Sequence, residues 1–161
     1  MKTALFPGTF DPITRGHEAL IRRGLSLFDR IIVTLGDNTQ KHTLFSLEQR
    51  MEWVRATFAD EPRIEVDSYH ELTIDYCKQH NIQFILRGLR NDTDFRYEEE
   101  NAKVNHYLAP EIETVMVLSH PEETIVSSSV VRELMTFGKD VSALLPQAIS
   151  NQVATAYKAN H

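Results

Sequence analysis

The chain has 161 residues, of which 42% are hydrophobic and 25% charged, values typical of a soluble globular protein. Acidic residues outnumber basic ones by 23 to 17, and the net charge of −6 argues against nucleic acid or an anionic membrane as a partner. The single cysteine, Cys77, excludes an internal disulfide and a cysteine-based zinc site, and it favours a cytoplasmic location. No apolar run approaches the ~20 residues of a membrane span, so we expect one domain over residues 1–161 and no membrane segment.

Strand-like and helix-like segments alternate along the chain. Short runs rich in Ile, Val, Leu and Phe predict β-strands at residues 3–6, 30–35, 63–66, 84–86 and 114–118. Amphipathic segments predict α-helices at residues 16–28, 47–58, 72–80, 97–108 and 128–136, and a C-terminal helix from about residue 146. This order predicts an α/β fold: a Rossmann-like, doubly wound, five-stranded parallel sheet with helices on both faces.

Local signals mark the beginnings of three helices. Thr14 or Arg15 is expected near the cap of the first helix, which places His17 in its first turn. Ser46, with a glutamine three residues later, has the spacing of a capping box. The acidic run at 98–100 is expected in the first turn of the fourth helix, where negative charge complements the helix dipole.

The segments that follow the strands are the candidate functional site, because ligands of such sheets bind beyond the carboxyl ends of the strands. The first strand is followed by the loop PGTFDPITRGH at 7–17, and the second by a polar stretch that contains Lys41. Arg87 and Arg90 come after the fourth strand, and the hydroxyl-rich segment 119–129 comes after the fifth. Basic side chains, hydroxyls and a glycine turn on one rim predict a polyphosphate ligand.

Each of these features also has a purely structural interpretation. Gly8 and Gly16 could simply form turns, and Lys41 could be a solvated side chain. The serines at 127–129 could do no more than cap a helix. His17 lies near the positive end of a helix, which disfavours its protonation, so it would face a phosphate as a neutral N–H donor. The histidines show no metal-ligand spacing, and we assign no metal site to them.

Several motifs in order along the chain are typical of one enzyme family. Residues 14–17 read TRGH and residues 126–132 read VSSSVVR, which match the (H/T)xGH and ISS(T/S)xx(R/K) motifs of a nucleotidyltransferase superfamily. The stretches PGTFDPIT at 7–14, FSLEQR at 45–50 and RGLR at 87–90 complete the pattern. Over nearly its whole length, the chain resembles the bacterial phosphopantetheine adenylyltransferases.

The resemblance implies a reaction in which the adenylyl group of ATP passes to 4′-phosphopantetheine. The products would be dephospho-coenzyme A and pyrophosphate, in the penultimate step of coenzyme A synthesis. The substrate phosphate would attack the α-phosphate of ATP in line, with Mg²⁺ held mainly by the ATP phosphates. A homohexamer and inhibition by coenzyme A are further expectations from the family. The residues suit this chemistry, because the attacking phosphate is already an anion near neutral pH and needs no strong base.

The resemblance also implies a role for individual residues. His17 would stabilise the α-phosphoryl transition state, and Thr9 and the Phe10 backbone would contact the nucleotide and the acceptor phosphate. Phosphopantetheine would be bound by Lys41, Thr73 and Arg87. ATP would also be bound by a larger set of positions: Gly88, Leu89, Arg90, Glu98, Glu123, Thr124, Ile125, Val126, Ser127, Ser128 and Ser129.

A few positions depart from the family pattern, and they surround the adenine or the pantetheine arm. Glu123 and Ile125 stand where the family has an aromatic residue. Thr73 replaces a leucine or methionine, and Thr39 replaces a proline in the loop that carries Lys41. The phosphate-handling residues are intact, so these departures predict the same reaction with altered peripheral contacts.

Two other functions stay open at this point. One is another small-molecule adenylyltransferase or cytidylyltransferase of the same superfamily. The other is a catalytically silent module that only binds ATP. The joint presence of His17, Lys41, Arg87 and Arg90 argues against the silent module, because binding alone would not need both phosphate subsites.

Overall fold

A computed structural model of the chain describes residues 1–36 and 42–161, so the predicted residues Thr39 and Lys41 lie outside the described part. The five strands are β1 (Thr3–Gly8), β2 (Arg30–Gly36), β3 (Ile64–Tyr69), β4 (Phe84–Leu89) and β5 (Glu113–Leu118). The α-helices are α1 (Arg15–Gly24), α2 (Leu47–Thr57), α3 (Thr73–Gln79), α4 (Asp92–Leu108), α5 (Ser128–Thr136) and α6 (Ser150–Asn160). Short 3₁₀ turns lie at Pro121–Glu123 and Ser142–Leu144.

The strands form one parallel sheet in the order β3-β2-β1-β4-β5. The chain winds outward from β1 to β3 and then returns to place β4 on the other side of β1. The strand order therefore reverses between β1 and β4, and the loops that leave these two strands lie next to each other. The predicted doubly wound sheet is confirmed.

Helices cover both faces of the sheet because neighbouring strand residues point in opposite directions. Ile31 and Val33 of β2 belong to a core that also contains buried side chains of α1, α2, α5 and α6. Ile32, between them, belongs to a second core with buried side chains of α3. Strands buried on both faces require apolar residues at consecutive positions, which is why their runs are recognisable in the sequence. Among the described residues, no helix is both long and apolar enough to cross a bilayer.

Several boundaries near the site differ from the prediction. β1 continues to Gly8, so Pro7 and Gly8 lie in the strand rather than in the loop after it. β4 continues to Leu89, so Arg87 lies within the strand rather than after it. α4 begins at Asp92, because the Asn91 side chain accepts a hydrogen bond from the Asp94 amide at 2.9 Å and caps the helix. The acidic run at 98–100 therefore lies beyond the first turn of α4, and the prediction of its place was wrong.

Two other helices are shorter than expected. α1 ends at Gly24, where the chain turns, and Phe28 packs beyond the helix against Phe84 with ring centroids 5.4 Å apart. α6 begins at Ser150 rather than near residue 146, because the Ile149 amide bonds to the Pro146 carbonyl and closes a turn before the helix starts. At α2, Ser46 caps the helix by accepting a hydrogen bond from the Gln49 amide at 3.2 Å.

Candidate active site

Two neighbouring cavities open at the carboxyl edge of the sheet, where β1 and β4 lie side by side. The α5 cavity, of about 280 Å³, lies between the loop after β1, helix α1 and the start of α5. The α4 cavity, of about 490 Å³, lies between the strand ends and α4. Both cavities are lined by Pro7, Gly8, Thr9, Arg87 and Glu98. A ligand in one cavity would therefore adjoin a ligand in the other.

The loop after β1 is held in place by hydrogen bonds to its backbone. Phe10 has φ of 49°, a left-handed conformation that residues with a side chain rarely adopt. The Thr9 carbonyl on one side accepts a hydrogen bond from Arg50 Nη1 at 2.6 Å. The Asp11 carbonyl on the other side accepts one from Arg132 Nη1 at 2.8 Å. These contacts fix the conformation that brings Thr9 and Phe10 to the cavity wall.

The buried carboxylate of Asp11 ties this loop to the segment before α2. It accepts hydrogen bonds from the backbone amides of Leu44 at 2.8 Å and Phe45 at 3.0 Å. Arg50 strengthens the same junction, because its Nε donates to the Phe45 carbonyl at 3.1 Å. Asp11 and Arg50 therefore serve as structural supports of the site.

His17 lies in the first turn of α1, behind the N-cap Thr14, as predicted. Its Nδ1 accepts a hydrogen bond from the Thr14 backbone amide at 3.1 Å. Because that amide can only donate, Nδ1 carries no proton and the neutral ring has its proton on Nε2. Burial, followed by the charges of Arg90 and Arg87, lowers the pKa of His17 to about 4. His17 is thus a neutral imidazole with an Nε2–H donor at neutral pH.

Arg87 and Glu98 form an ion pair on the wall that the two cavities share. Arg87 Nε donates to Glu98 Oε2 at 2.8 Å, and Nη2 donates to Oε1 at 2.5 Å. Arg87 Nη1 also donates to the Pro7 carbonyl at the end of β1. The Glu98 side chain is 8% exposed. This buried carboxylate therefore orients the guanidinium between the cavities.

Arg90 lines the α5 cavity and pairs with Asp94 in the first turn of α4. Its Nε and Nη2 donate to the two carboxylate oxygens at 2.9 and 3.1 Å. The hydrogen bond from Arg90 is the main reason that the pKa of Asp94 lies below its usual value. Arg90 therefore has a defined orientation at the cavity while the pair stays partly open to solvent.

The serines at the start of α5 line the same cavity and also hold the helix. Ser127 caps α5 by accepting a hydrogen bond from the Val130 amide at 3.2 Å. Ser128 Oγ donates to the Pro12 carbonyl at 2.7 Å, which joins α5 to the loop after β1. Gly16 of α1 allows close approach here, because a Cβ on it would lie 3.2 Å from the Val126 carbonyl oxygen. The structural interpretation of these residues is correct, and it coexists with their place at the cavity.

The α4 cavity has a different lining. The Thr73 hydroxyl lies 2.8 Å from the Tyr69 hydroxyl, and both residues line this cavity. Asn101 and Asn105 of α4, which carry side-chain amides, line the same cavity. The cavity thus combines hydroxyl and amide groups with apolar walls, a lining suited to an extended arm that contains amides.

The predicted residues other than Lys41, which lies outside the described part of the chain, divide into three groups by position. The α5 cavity is lined by Thr9, Phe10, His17, Arg87, Gly88, Arg90, Glu98, Glu123, Val126, Ser127, Ser128 and Ser129. Thr73 lines the α4 cavity, together with Thr9 and Arg87. Leu89 is buried, Ile125 is 72% exposed, and neither they nor Thr124 belong to the lining of either cavity.

Three supporting residues were absent from the predicted set: Asp11, Arg50 and Arg132. Asp11 and Arg50 stand inside the stretches PGTFDPIT and FSLEQR, and Arg132 closes the VSSSVVR motif. Their positions in these motifs were the one feature of the sequence that could have marked them as part of the site. They act on backbone groups of distant segments, and such contacts follow from the fold rather than from residue type.

The chain is similar to a family model and to curated proteins over most of its length. Residues 5–134 match the family described as cytidylyltransferase-like. The phosphopantetheine adenylyltransferase of Bacteroides thetaiotaomicron is 48% identical over 149 residues, which cover 92% of this chain and 98% of the relative. The protein of the same name from Phocaeicola vulgatus is 46% identical with the same coverage. That from Anaeromyxobacter dehalogenans is 43% identical over 145 residues, 90% of this chain and 88% of the relative.

The parallel sheet, the cavities at its switch point and the family match define a nucleotidyltransferase of the cytidylyltransferase-like class. Identity above 40% over nine-tenths of the chain narrows this class further. The chain belongs to the phosphopantetheine adenylyltransferase family. This membership confirms the predicted resemblance and the assignment as an enzyme that transfers a nucleotidyl group.

Proposed function

We propose that the protein transfers the adenylyl group of ATP to 4′-phosphopantetheine, giving dephospho-coenzyme A and pyrophosphate. The observation that carries this proposal is the pair of cavities that share Thr9 and Arg87. The α5 cavity offers His17, Arg90 and the start of a helix to a nucleotide triphosphate. The α4 cavity offers an extended space with amides and hydroxyls to the pantetheine arm.

The reaction needs positioning and charge stabilisation more than proton transfer. An oxygen of the acceptor phosphate attacks the α-phosphorus of ATP, and the bond to the oxygen bridging the α- and β-phosphates breaks. Pyrophosphate leaves with that electron pair, and no proton must be removed because the attacking phosphate is already ionised. The Nε2–H of His17 donates to an α-phosphoryl oxygen as its charge grows.

Arg87 and Arg90 bind different anionic groups of the two substrates. Arg87, on the shared wall, holds the acceptor phosphate of phosphopantetheine, and Thr73 contacts the arm behind it. Arg90, in the α5 cavity, stabilises the phosphates of ATP. Glu98 acts by orienting Arg87. Lys41 lies outside the described residues, and its contact with phosphopantetheine stays a prediction from the resemblance.

Mg²⁺ would be held mainly by the ATP phosphates. The three carboxylates that line the α5 cavity are already paired with arginines, Asp94 with Arg90, Glu98 with Arg87 and Glu123 with Arg23. In residues 1–36 and 42–161, no cluster of three or more His, Cys, Asp or Glu side chains could bind a metal ion. When bound, the ion would neutralise charge on the phosphates.

The proposal is tested by measuring pyrophosphate release from ATP with and without 4′-phosphopantetheine. Release is expected only when 4′-phosphopantetheine is present. Nicotinamide mononucleotide and glycerol phosphate serve as control acceptors, and CTP replaces ATP in a third arm. Equal rates with a control acceptor or with CTP would favour another small-molecule nucleotidyltransferase. ATP binding without any pyrophosphate release would favour a silent binding module.

We further propose a homohexamer that is located in the cytoplasm and inhibited by coenzyme A. Exposed apolar side chains such as Tyr107, 84% exposed, and Phe137, 71% exposed, support burial against other copies. Coenzyme A contains both an adenosine phosphate and a pantetheine arm, so it could occupy both cavities. Light scattering tests the assembly: a mass six times that of the chain is expected, and a monomer would contradict it.

A further inference from the structure

The segment between β5 and α5 forms one wall of the α5 cavity. Ser119, Glu123 and Val126 of this segment line the cavity, followed by the serines of α5. Within this segment, Pro121–Glu123 form a 3₁₀ turn. A short segment of this kind has little stability of its own, so its position depends on what it is bonded to.

One arginine of α1 bonds to this wall at two places. Arg23 Nη2 donates to the Leu118 carbonyl at the end of β5 at 2.6 Å. Arg23 Nη1 donates to Glu123 Oε2 at 3.1 Å, and the same oxygen accepts the His120 amide at 3.0 Å. The Glu123 side chain is 11% exposed and that of Arg23 is 30% exposed. A single guanidinium thus joins α1 to both the strand end and the 3₁₀ turn.

The other end of α1 contacts the same wall through Gly16. A Cβ at Gly16 would lie 3.2 Å from the Val126 carbonyl oxygen and 3.4 Å from the Glu123 carbonyl oxygen. The wall therefore lies against the first turn of α1, which carries His17. The last turn of α1 is bonded to the wall through Arg23. Helix α1 sets the distance between the wall and His17.

We infer that Arg23 and Glu123 are a positioning pair that fixes this wall of the nucleotide cavity and thereby sets the affinity for ATP. The inference rests on the proposed function, since it takes the α5 cavity as the nucleotide site. The Glu123 carboxylate is occupied by Arg23 and the His120 amide, so the pairing also compensates a negative charge that would otherwise oppose the ATP phosphates. Glu123 acts through Arg23, which differs from the direct ATP contact implied by the family.

The test compares Arg23→Met with Arg22→Met, a change at the neighbouring arginine of the same last turn. Arg22 bonds to Glu18 and Asp60 on another side of α1 and does not line the α5 cavity. Loss of charge-assisted hydrogen bonds in Arg23→Met is expected to raise the KM for ATP and its Kd from direct binding by about tenfold. The KM for 4′-phosphopantetheine, and every constant of Arg22→Met, should change by about twofold or less.

Two further variants keep the inference open to contradiction if Arg23→Met does not fold. Arg23→Lys keeps the charge but cannot donate to Leu118 and Glu123 in the same fork, so it should lie between wild type and Arg23→Met. Glu123→Gln removes a negative charge, which by itself would favour ATP, so the raised KM for ATP that is expected here would come from the lost position of the wall. Lower thermal stability with an unchanged KM for ATP, or equal increases in both KM values, would overturn the inference.

Direct ATP binding separates this inference from the proposed reaction. Wild-type protein that binds ATP but releases no pyrophosphate with 4′-phosphopantetheine would contradict the reaction. The tenfold difference in Kd between Arg23→Met and Arg22→Met would still be expected in that case. Its absence would contradict the positioning pair alone.

Discussion

The two cavities differ in how firmly their walls are built. Around the α5 cavity, Arg23, Ser128 and Arg132 each donate to a backbone carbonyl of a distant segment. One wall of the α4 cavity is helix α4. Glu98 of this helix is buried, but other side chains that line the cavity, such as Val104, 56% exposed, are open to solvent. Transition-state donors must be fixed before the reaction, whereas an extended arm can be bound by a wall that adjusts. The difference matches the proposed division between nucleotide and acceptor.

The largest effect should come from the proposed transition-state donor, His17. His17→Ala removes the hydrogen bond to the α-phosphate and should lower kcat by about 10²-fold or more, with the KM for ATP little changed. His17→Gln is the matched control, because its amide can donate from a similar place and should restore part of the loss. Steady-state kinetics with 4′-phosphopantetheine make the measurement. A near-normal kcat for His17→Ala would remove this residue from the mechanism.

The pair on the shared wall should give the next effect, on stability. Arg87→Met leaves the buried Glu98 carboxylate without its partner and should lower the free energy of unfolding by about 3 kcal/mol. Arg90→Met breaks a more exposed pair and should cost about 1 kcal/mol or less. Urea unfolding of both variants makes the comparison. Equal losses would mean that the Arg87–Glu98 pair contributes no more to stability than the more exposed Arg90–Asp94 pair.

The smallest effect should come from the α4 cavity. Thr73→Val keeps the shape of the side chain but removes the hydroxyl that lies 2.8 Å from the Tyr69 hydroxyl. The loss of one neutral hydrogen bond should raise the KM for 4′-phosphopantetheine by about fivefold and leave the KM for ATP unchanged. Unchanged constants for both substrates would separate Thr73 from the pantetheine arm.

The fold could be predicted because its signals are local. The strands are apolar at consecutive positions, and Ser46 and Thr14 stand at helix starts where side chains with hydroxyls are favoured. α4 was placed too late, because Asn91 caps a polar first turn that lacks an apolar pattern. Short-range features therefore predicted the order of elements better than their ends.

The site could be predicted only in part, because its bonds join distant segments. The helix start predicted that His17 would be neutral, but its pKa is lowered by burial and by the charges of Arg90 and Arg87, which the sequence pattern does not reveal. The pairing of Arg87 with Glu98 depends on how α4 packs over β4, which no spacing in the sequence reveals. The contact of Arg23 with Leu118, 95 residues apart, depends on the fold in the same way.

The central claim is that His17 acts as a neutral donor, and its own titration tests this most directly. NMR of the imidazole should give a pKa of about 4, against the ordinary value of 6.5. Since the folded pKa lies below the unfolded one, His17 should cost stability as the pH falls from 6.5 towards 4 and have no such effect above 6.5. The same spectra should show the proton on Nε2. A pKa at or above 6.5, or a proton on Nδ1, would contradict the account.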